Sequence, residues 1–148
     1  DDGDAHPQAR TTRLWTWALQ TVVQSTRQMT RFRDDGVLRN PLDGTPLAFP
    51  KGGVGENLMA EAQARLRREA PAMFLRKIEL VEQGTAHMVA GGTVMGGDAE
   101  MQSLLGELRA YREVLLSWQA EETAAMKASS TASSVRAHSS RARRPTRT

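Results

Sequence analysis

The 148-residue chain contains no cysteine. Disulfide bridges, thiolate metal sites and a thiol nucleophile are therefore excluded, while the redox compartment stays open. Aromatic residues make up only 5% of the chain and hydrophobic residues 39%, a modest supply for the core of a single domain. No apolar run approaches the roughly 20 residues that a membrane-spanning helix needs, so we expect no transmembrane segment.

Residues that could form a catalytic or metal site are equally sparse. The three histidines are His6, His87 and His138, and no two of them have the spacing of metal ligands on one helix face. The glycine-rich residues 51–57 precede a predicted helix, where backbone amides can bind an anion. They lack the phosphate-loop pattern, however, and are typical of a structural turn. We predict a protein that is not an enzyme and that has no catalytic residue, cofactor or metal.

Basic residues without acidic ones are concentrated at the end of the chain. The net charge is +3, and residues 129–148 contain no aspartate or glutamate. The basic residues of this segment are Arg136, Arg141, Arg143, Arg144 and Arg147. Its Ser-, Ala- and Arg-rich composition supplies little apolar surface, so we predict a low-complexity tail that is disordered alone.

Arginines separated by small residues resemble the extensions with which ribonucleoprotein subunits enter folded RNA. This resemblance implies that the tail arginines bind RNA phosphates. An anionic membrane surface, a localisation signal and a solubilising tail are alternatives with the same composition.

After an N-terminal arm (residues 1–7), residues 8–33 follow the period of an amphipathic helix. Its predicted inner side includes Leu14, Leu19, Val22 and Phe32. No acidic residue occurs from Ala5 to Arg33, which suits contact with phosphates.

The opposite side of the same helix is basic. It carries Arg13, Arg27 and Arg31, and Trp17 lies one turn from Arg13, where stacking on a base or a cation–π contact is feasible. We predict that these four residues bind RNA. The alternatives are a solvated helix face and pairing with glutamates of the last helix.

Residues 34–56 are rich in glycine and proline, and their Asp-Gly pairs indicate turns. An irregular segment of this length is commonly functional or held by a neighbour. We predict an extended segment that contacts another protein.

Residues 57–128 form the predicted helical core. Asn57 is a candidate N-cap, Pro71 is expected to break or kink the helix or to begin a second one, and Gly84 is expected to end it. Two short apolar runs flank a pair of glycines within residues 86–95, which indicates either a β-hairpin or a glycine-rich loop.

The last helix is predicted over residues 99–127, with Asp98 as its N-cap. Its apolar residues alternate in spacings of three and four, which defines a seam of the kind found in helical bundles. The seam consists of Met101, Leu104, Leu108, Tyr111, Leu115 and Trp118. We expect it to pack within a bundle and assign it to contacts with neighbouring proteins.

Together these observations predict a small, mainly α domain with a long N-terminal helix, a kinked middle helix, a C-terminal seam helix and a basic tail. We predict a non-catalytic accessory subunit of a large ribonucleoprotein, a ribosome above all, that binds ribosomal or other structured RNA and several neighbouring proteins. The acidic start without methionine fits removal of a presequence, so we expect a mitochondrial location, and otherwise the cytoplasm. The alternative is an accessory or scaffold subunit of a protein-only complex, respiratory or filament-associated.

Overall fold

The computed structural model describes residues 7–40, 42–48 and 51–142, with side chains described as far as residue 131. These residues form three helices: α1 (Pro7–Asp35), α2 (Gly53–Ala90) and α3 (Ala99–Ala142). No strand forms within the described ranges, where the only β-type pairing is an isolated bridge between Arg39 and Pro46. The predicted mainly helical fold is confirmed.

The first two helices run in opposite directions. At one end of their interface the indole of Trp15 donates a hydrogen bond to the hydroxyl of Thr85, at 2.9 Å. At the other end the guanidinium of Arg67 lies 5.5 Å from the centre of the Phe32 ring. Rising numbers on α1 therefore meet falling numbers on α2.

The third helix runs parallel to the first. Gln20 donates a hydrogen bond to Glu100 over 2.6 Å, and Arg33 pairs with Glu121 over the same distance. Both contacts join α1 to α3 with numbers that rise together. The three helices therefore form a bundle in which α2 is antiparallel to both of its neighbours.

The core lies between the three helices in two adjoining clusters. The larger consists of Val23, Phe32, Ala70, Phe74, Ile78, Leu108, Leu115 and Trp118. The smaller consists of Leu19, Val94, Met101 and Leu105. Of the seam residues, Met101, Leu108, Leu115 and Trp118 are fully buried, and Leu104 and Tyr111 are partly buried.

The assignment of the seam to neighbouring proteins is therefore wrong, because α1 and α2 of the same chain cover it. The 3-4 spacing identified a buried helix face correctly. What covers that face is decided by tertiary packing, which the spacing does not encode.

Buried threonines complete the inner side of α1. Thr12, Thr16 and Thr26 are almost fully buried, and their hydroxyls donate to the carbonyl oxygens four residues earlier. These bonds satisfy the polar groups, so the threonines can join a core. Leu14, predicted on the inner side, is instead 59% exposed, because the buried face of α1 is centred on these threonines.

The middle helix passes both positions at which its sequence predicted an interruption. Pro71 has no amide to donate to Arg67, yet it is buried between Ala70 and Phe74 of the core face, and the helix neither ends nor restarts there. Gly84 does not end the helix either. A Cβ atom at Gly84 would lie 3.8 Å from the Trp15 ring, an ordinary contact distance, so the packing of the indole does not require glycine at this position.

The predicted hairpin over residues 86–95 does not form. Residues 86–90 are the last turn of α2, and the chain then turns through a glycine-rich loop, the other alternative. The amides of Gly91 and Thr93 donate to His87 and Met88, and Gly92 adopts a φ of 74°, which favours glycine. The loop also buries Val94 in the smaller core cluster.

The connection between α1 and α2 is a loop held by side chains. The carboxylate of Asp35 pairs with Arg39 at 2.7 Å and accepts the amide of Val37. The hydrogen bond from Arg39 and that from Val37 lower the pKa of Asp35 to about 2. The Leu47 amide donates to the Leu38 carbonyl, and Leu38 packs on the larger cluster.

The last helix extends beyond its predicted end. Residues 129–142, expected to belong to an irregular tail, continue α3 as far as Ala142. Serine, the commonest residue of this segment, is a weaker helix former than alanine or arginine, but a helix already formed by packing can propagate through such residues because no new nucleus is needed.

Candidate nucleic-acid interface

The outward side of the first half of α1 combines a cation with an aromatic ring. Arg13 is exposed, and no hydrogen bond or ion pair to it occurs in the described part of the chain. Trp17, one turn further along, is 71% exposed. The pair presents a free guanidinium beside a flat ring to solvent. Arg31 is also exposed. Its positive charge makes a minor contribution to the lowered pKa of Asp35.

Arg27 is turned towards the bundle. Its guanidinium donates to Glu107 over 2.6 Å and to the hydroxyl of Tyr111 over 3.2 Å, and that hydroxyl in turn donates to Glu107. Of the two alternatives given for the basic side of α1, pairing with the last helix applies at Arg27. Its side chain is nevertheless 54% exposed, so the assignment of Arg27 to RNA stays a prediction.

We call Arg27, Glu107 and Tyr111 the Glu107 triangle. Its electrostatics favour the charged forms of Arg27 and Glu107. Burial opposes ionisation of Glu107, but the hydrogen bonds from Tyr111 and Arg27 outweigh it and hold the pKa of Glu107 below its usual value. The hydrogen bond to Glu107 raises the pKa of Arg27. Burial, reinforced by the bond to Glu107, raises the pKa of Tyr111. The three groups thus form one hydrogen-bonded network that joins α1 to α3.

A groove between α2 and α3 forms a second basic surface. We call it the Arg68 groove. It is lined by Ala64, Arg67, Arg68, Glu122, Ala125, Met126, Ser129 and Ser130. The sequence did not indicate it, because its two walls are more than 50 positions apart and become neighbours only when α2 and α3 pair.

One arginine of the groove is fixed and the other is free. Besides its contact with Phe32, Arg67 donates to the carbonyl of Arg33 over 3.4 Å and lies 3.9 Å from Glu122. Arg68 is exposed and makes no hydrogen bond or ion pair with any described residue. The groove therefore holds one compensated and one uncompensated positive charge.

The tail arginines lie at or beyond the end of the described part of the chain. Arg136 and Arg141 belong to the helical backbone of α3, but their side chains lie outside the described residues, as do Arg143, Arg144 and Arg147 entirely. Their assignment to RNA stays a prediction.

Comparisons with protein-family models, with curated proteins and with solved structures return no match. Within the described ranges, no three His, Asp or Glu side chains lie close enough to hold a metal ion. None of the described helices is both long and apolar enough to cross a membrane.

Proposed function

We propose that the protein is a non-catalytic structural subunit of a large ribonucleoprotein, a ribosome above all, and that it binds RNA through the arginines of its C-terminal segment, residues 129–148. The observation that carries the proposal is the run of five arginines without an acidic residue in residues 129–148. The helix that leads into it extends to Ala142, about 30 Å beyond Glu121, where α3 pairs with α1.

Charge density favours RNA as the partner. A polyanion offers phosphates at short, regular intervals, and each arginine that neutralises one releases counterions. Arginine also matches phosphate with two parallel hydrogen bonds. Exposed Arg13, Trp17 and Arg31 supply a second surface, on which a guanidinium binds phosphate and the indole stacks on a base.

We assign the contacts with neighbouring proteins to the loop between α1 and α2. Leu42 is 76% exposed and Leu47 46% exposed. The seam of α3 is buried in the core of the chain. We therefore assign to Leu42 and Leu47 the protein contacts that were predicted for the seam.

Sedimentation of the native protein with and without ribonuclease tests the proposal. We expect the protein to travel with a large particle that ribonuclease dismantles, and the same gradient from purified mitochondria tests its location. A large particle indifferent to ribonuclease would instead support the protein-only scaffold, with the tail on acidic proteins or lipid headgroups. Sedimentation as a lone 16.3 kDa chain would contradict both.

Replacement of the five tail arginines by alanine should weaken the salt dependence of RNA binding. The slope of log K against log salt should become shallower by about 0.7 to 0.9 for each arginine that contacts a phosphate. Fluorescence anisotropy of a labelled RNA hairpin over a series of KCl concentrations measures it. The matched control replaces the same arginines by lysine, which preserves the charge and should preserve the slope. An alanine variant with the native slope would refute the role of the tail.

A further inference from the structure

We infer that the Arg68 groove is a phosphate-binding site that continues the basic tail onto the body of the protein. This inference rests on the proposed function, because it names a further site for the same RNA. It assigns the primary contact to Arg68 and supporting contacts to Ser129 and Ser130.

The charge balance of the groove leaves Arg68 available. Glu122 is the only acidic residue among the residues that line it. Its carboxylate accepts the indole N–H of Trp118 over 3.2 Å and faces the fixed guanidinium of Arg67. The acidic group is therefore compensated from both sides, and the remaining positive charge of Arg68 has no partner within the described chain.

Unused hydrogen-bond donors face Arg68 across the groove. Ser129 and Ser130 are exposed, and their hydroxyls make no hydrogen bond among the described residues. Other hydroxyls of α3, such as those of Thr123 and Thr131, donate to backbone carbonyls four residues earlier. The two serines are thus free to donate to phosphate oxygens.

The shape of the groove suits a backbone rather than a base. Ala64 and Ala125 are small, so an incoming strand can approach both helices closely, and Met126 is a flexible wall that adapts to its surface. No aromatic side chain lines the groove, so it has no stacking platform. We therefore expect contacts with phosphate and sugar that do not depend on sequence.

The groove and the tail are continuous along one helix. Ser129 and Ser130 lie in the stretch after Glu122 that contains no acidic residue, and Arg136 follows about two turns later. We therefore expect an RNA strand that contacts the last described turns of α3 to extend to Arg68. An acidic protein would have to match the same line with carboxylates, which few protein surfaces supply at such density.

Two variants that change different kinds of contact test the site. Arg68→Gln should make the anisotropy salt slope shallower by about 0.7 to 0.9, the value for one phosphate. The double variant Ser129→Ala/Ser130→Ala removes neutral donors, so it should weaken binding several-fold without changing the slope. The control for a general loss of positive charge is Arg76→Gln, at an exposed arginine of α2 that lies outside the groove and pairs with Glu79 over 3.4 Å. Circular dichroism of each variant verifies that it is folded.

The outcomes separate this site from the proposed function. If the tail variant lowers the slope while Arg68→Gln and Arg76→Gln behave alike, the groove is not a phosphate site, although the protein still binds RNA through its tail. If the native chain does not bind the RNA hairpin, both proposals fail. Displacement of the RNA by polyglutamate of equal charge with the same dependence on Arg68 would overturn the assignment to phosphate, because the groove would then accept any anion.

Discussion

Arg13, Arg27 and Arg31 lie on the same side of an idealised helical wheel, yet the fold uses them differently. Arg27 bonds with Glu107 and Tyr111, whereas Arg13 and Arg31 point to solvent. The wheel gives the angle of each residue about α1 but not the rotation of α1 against α3. The buried face of α1 includes Thr12, Thr16 and Thr26 beside its apolar residues, and an apolar scale does not assign threonines to a core.

Loss of the carboxylate at Glu107 should destabilise the protein in a manner that depends on pH. Glu107→Gln should lower the free energy of unfolding by about 1 kcal/mol at pH 7, since the bonds to a charged group are partly screened by solvent. The folded chain lowers the pKa of Glu107, so its contribution exists above the unfolded pKa and is lost as the pH falls through the folded one. The difference should therefore shrink as the solution becomes more acidic. Urea unfolding at pH 7 and at a lower, acidic pH measures it.

Glu113→Gln is the control for this experiment. Glu113 is exposed on the same helix and has no ion pair among the described residues. Glu113→Gln should leave the free energy of unfolding unchanged at both pH values. Equal effects of the two substitutions would show that general charge, and not the triangle with Arg27 and Tyr111, determines the result.

The start of α3 is a local signal that the sequence carries openly. Asp98 accepts the amide of Met101 over 2.9 Å, which confirms the predicted N-cap. Asp98→Ala should lower the free energy of unfolding by about 1 kcal/mol, because one amide of the first turn loses its partner. Asp98→Asn preserves an acceptor and should retain most of the stability. Thermal unfolding of the three proteins tests this, and equal losses in both variants would contradict the capping role.

Other element boundaries depend on distant contacts. The end of α2 was predicted at Gly84, but Trp15 packs there, and the helix continues to Ala90. The short apolar run after Gly84 fits a strand or a helix equally well. Packing of α1 against this part of α2 selects the helix, and no pattern confined to residues 84–95 contains that information. The spacing of α3 was informative because a 3-4 repeat sustained over several turns has only one regular solution.

The molecule as a whole separates into a core and an extension. The buried side chains lie between Thr12 and Trp118, whereas all described side chains from Thr123 to Thr131 are exposed. Ending the chain after Thr131 should therefore shift the thermal midpoint by no more than ~2 °C while RNA binding is largely lost. By contrast, Trp118→Ala in the full chain should cost about 3–5 kcal/mol. A large fall in the midpoint of the shortened chain would mean that its last residues support the core.

The Arg68 groove exists only in the folded chain, where α2 and α3 pack side by side. Arg68 is an ordinary exposed arginine of α2, and Ser129 and Ser130 are ordinary residues of a low-complexity segment. The antiparallel pairing of two long helices brings them together. The tail could be identified from composition because its charge is contiguous, whereas a site assembled across helices has no such local signature.

The three tryptophans lie at three depths: Trp118 is fully buried, Trp15 is half-buried at the junction with α2, and Trp17 is exposed. The intrinsic fluorescence of the chain is therefore a sum of three environments. A soluble quencher such as iodide reaches Trp17 first and Trp118 only after unfolding. A partner that covers the outward side of α1 would protect Trp17 alone, so the protein carries its own optical reporter of occupancy, distinct from its reporter of folding.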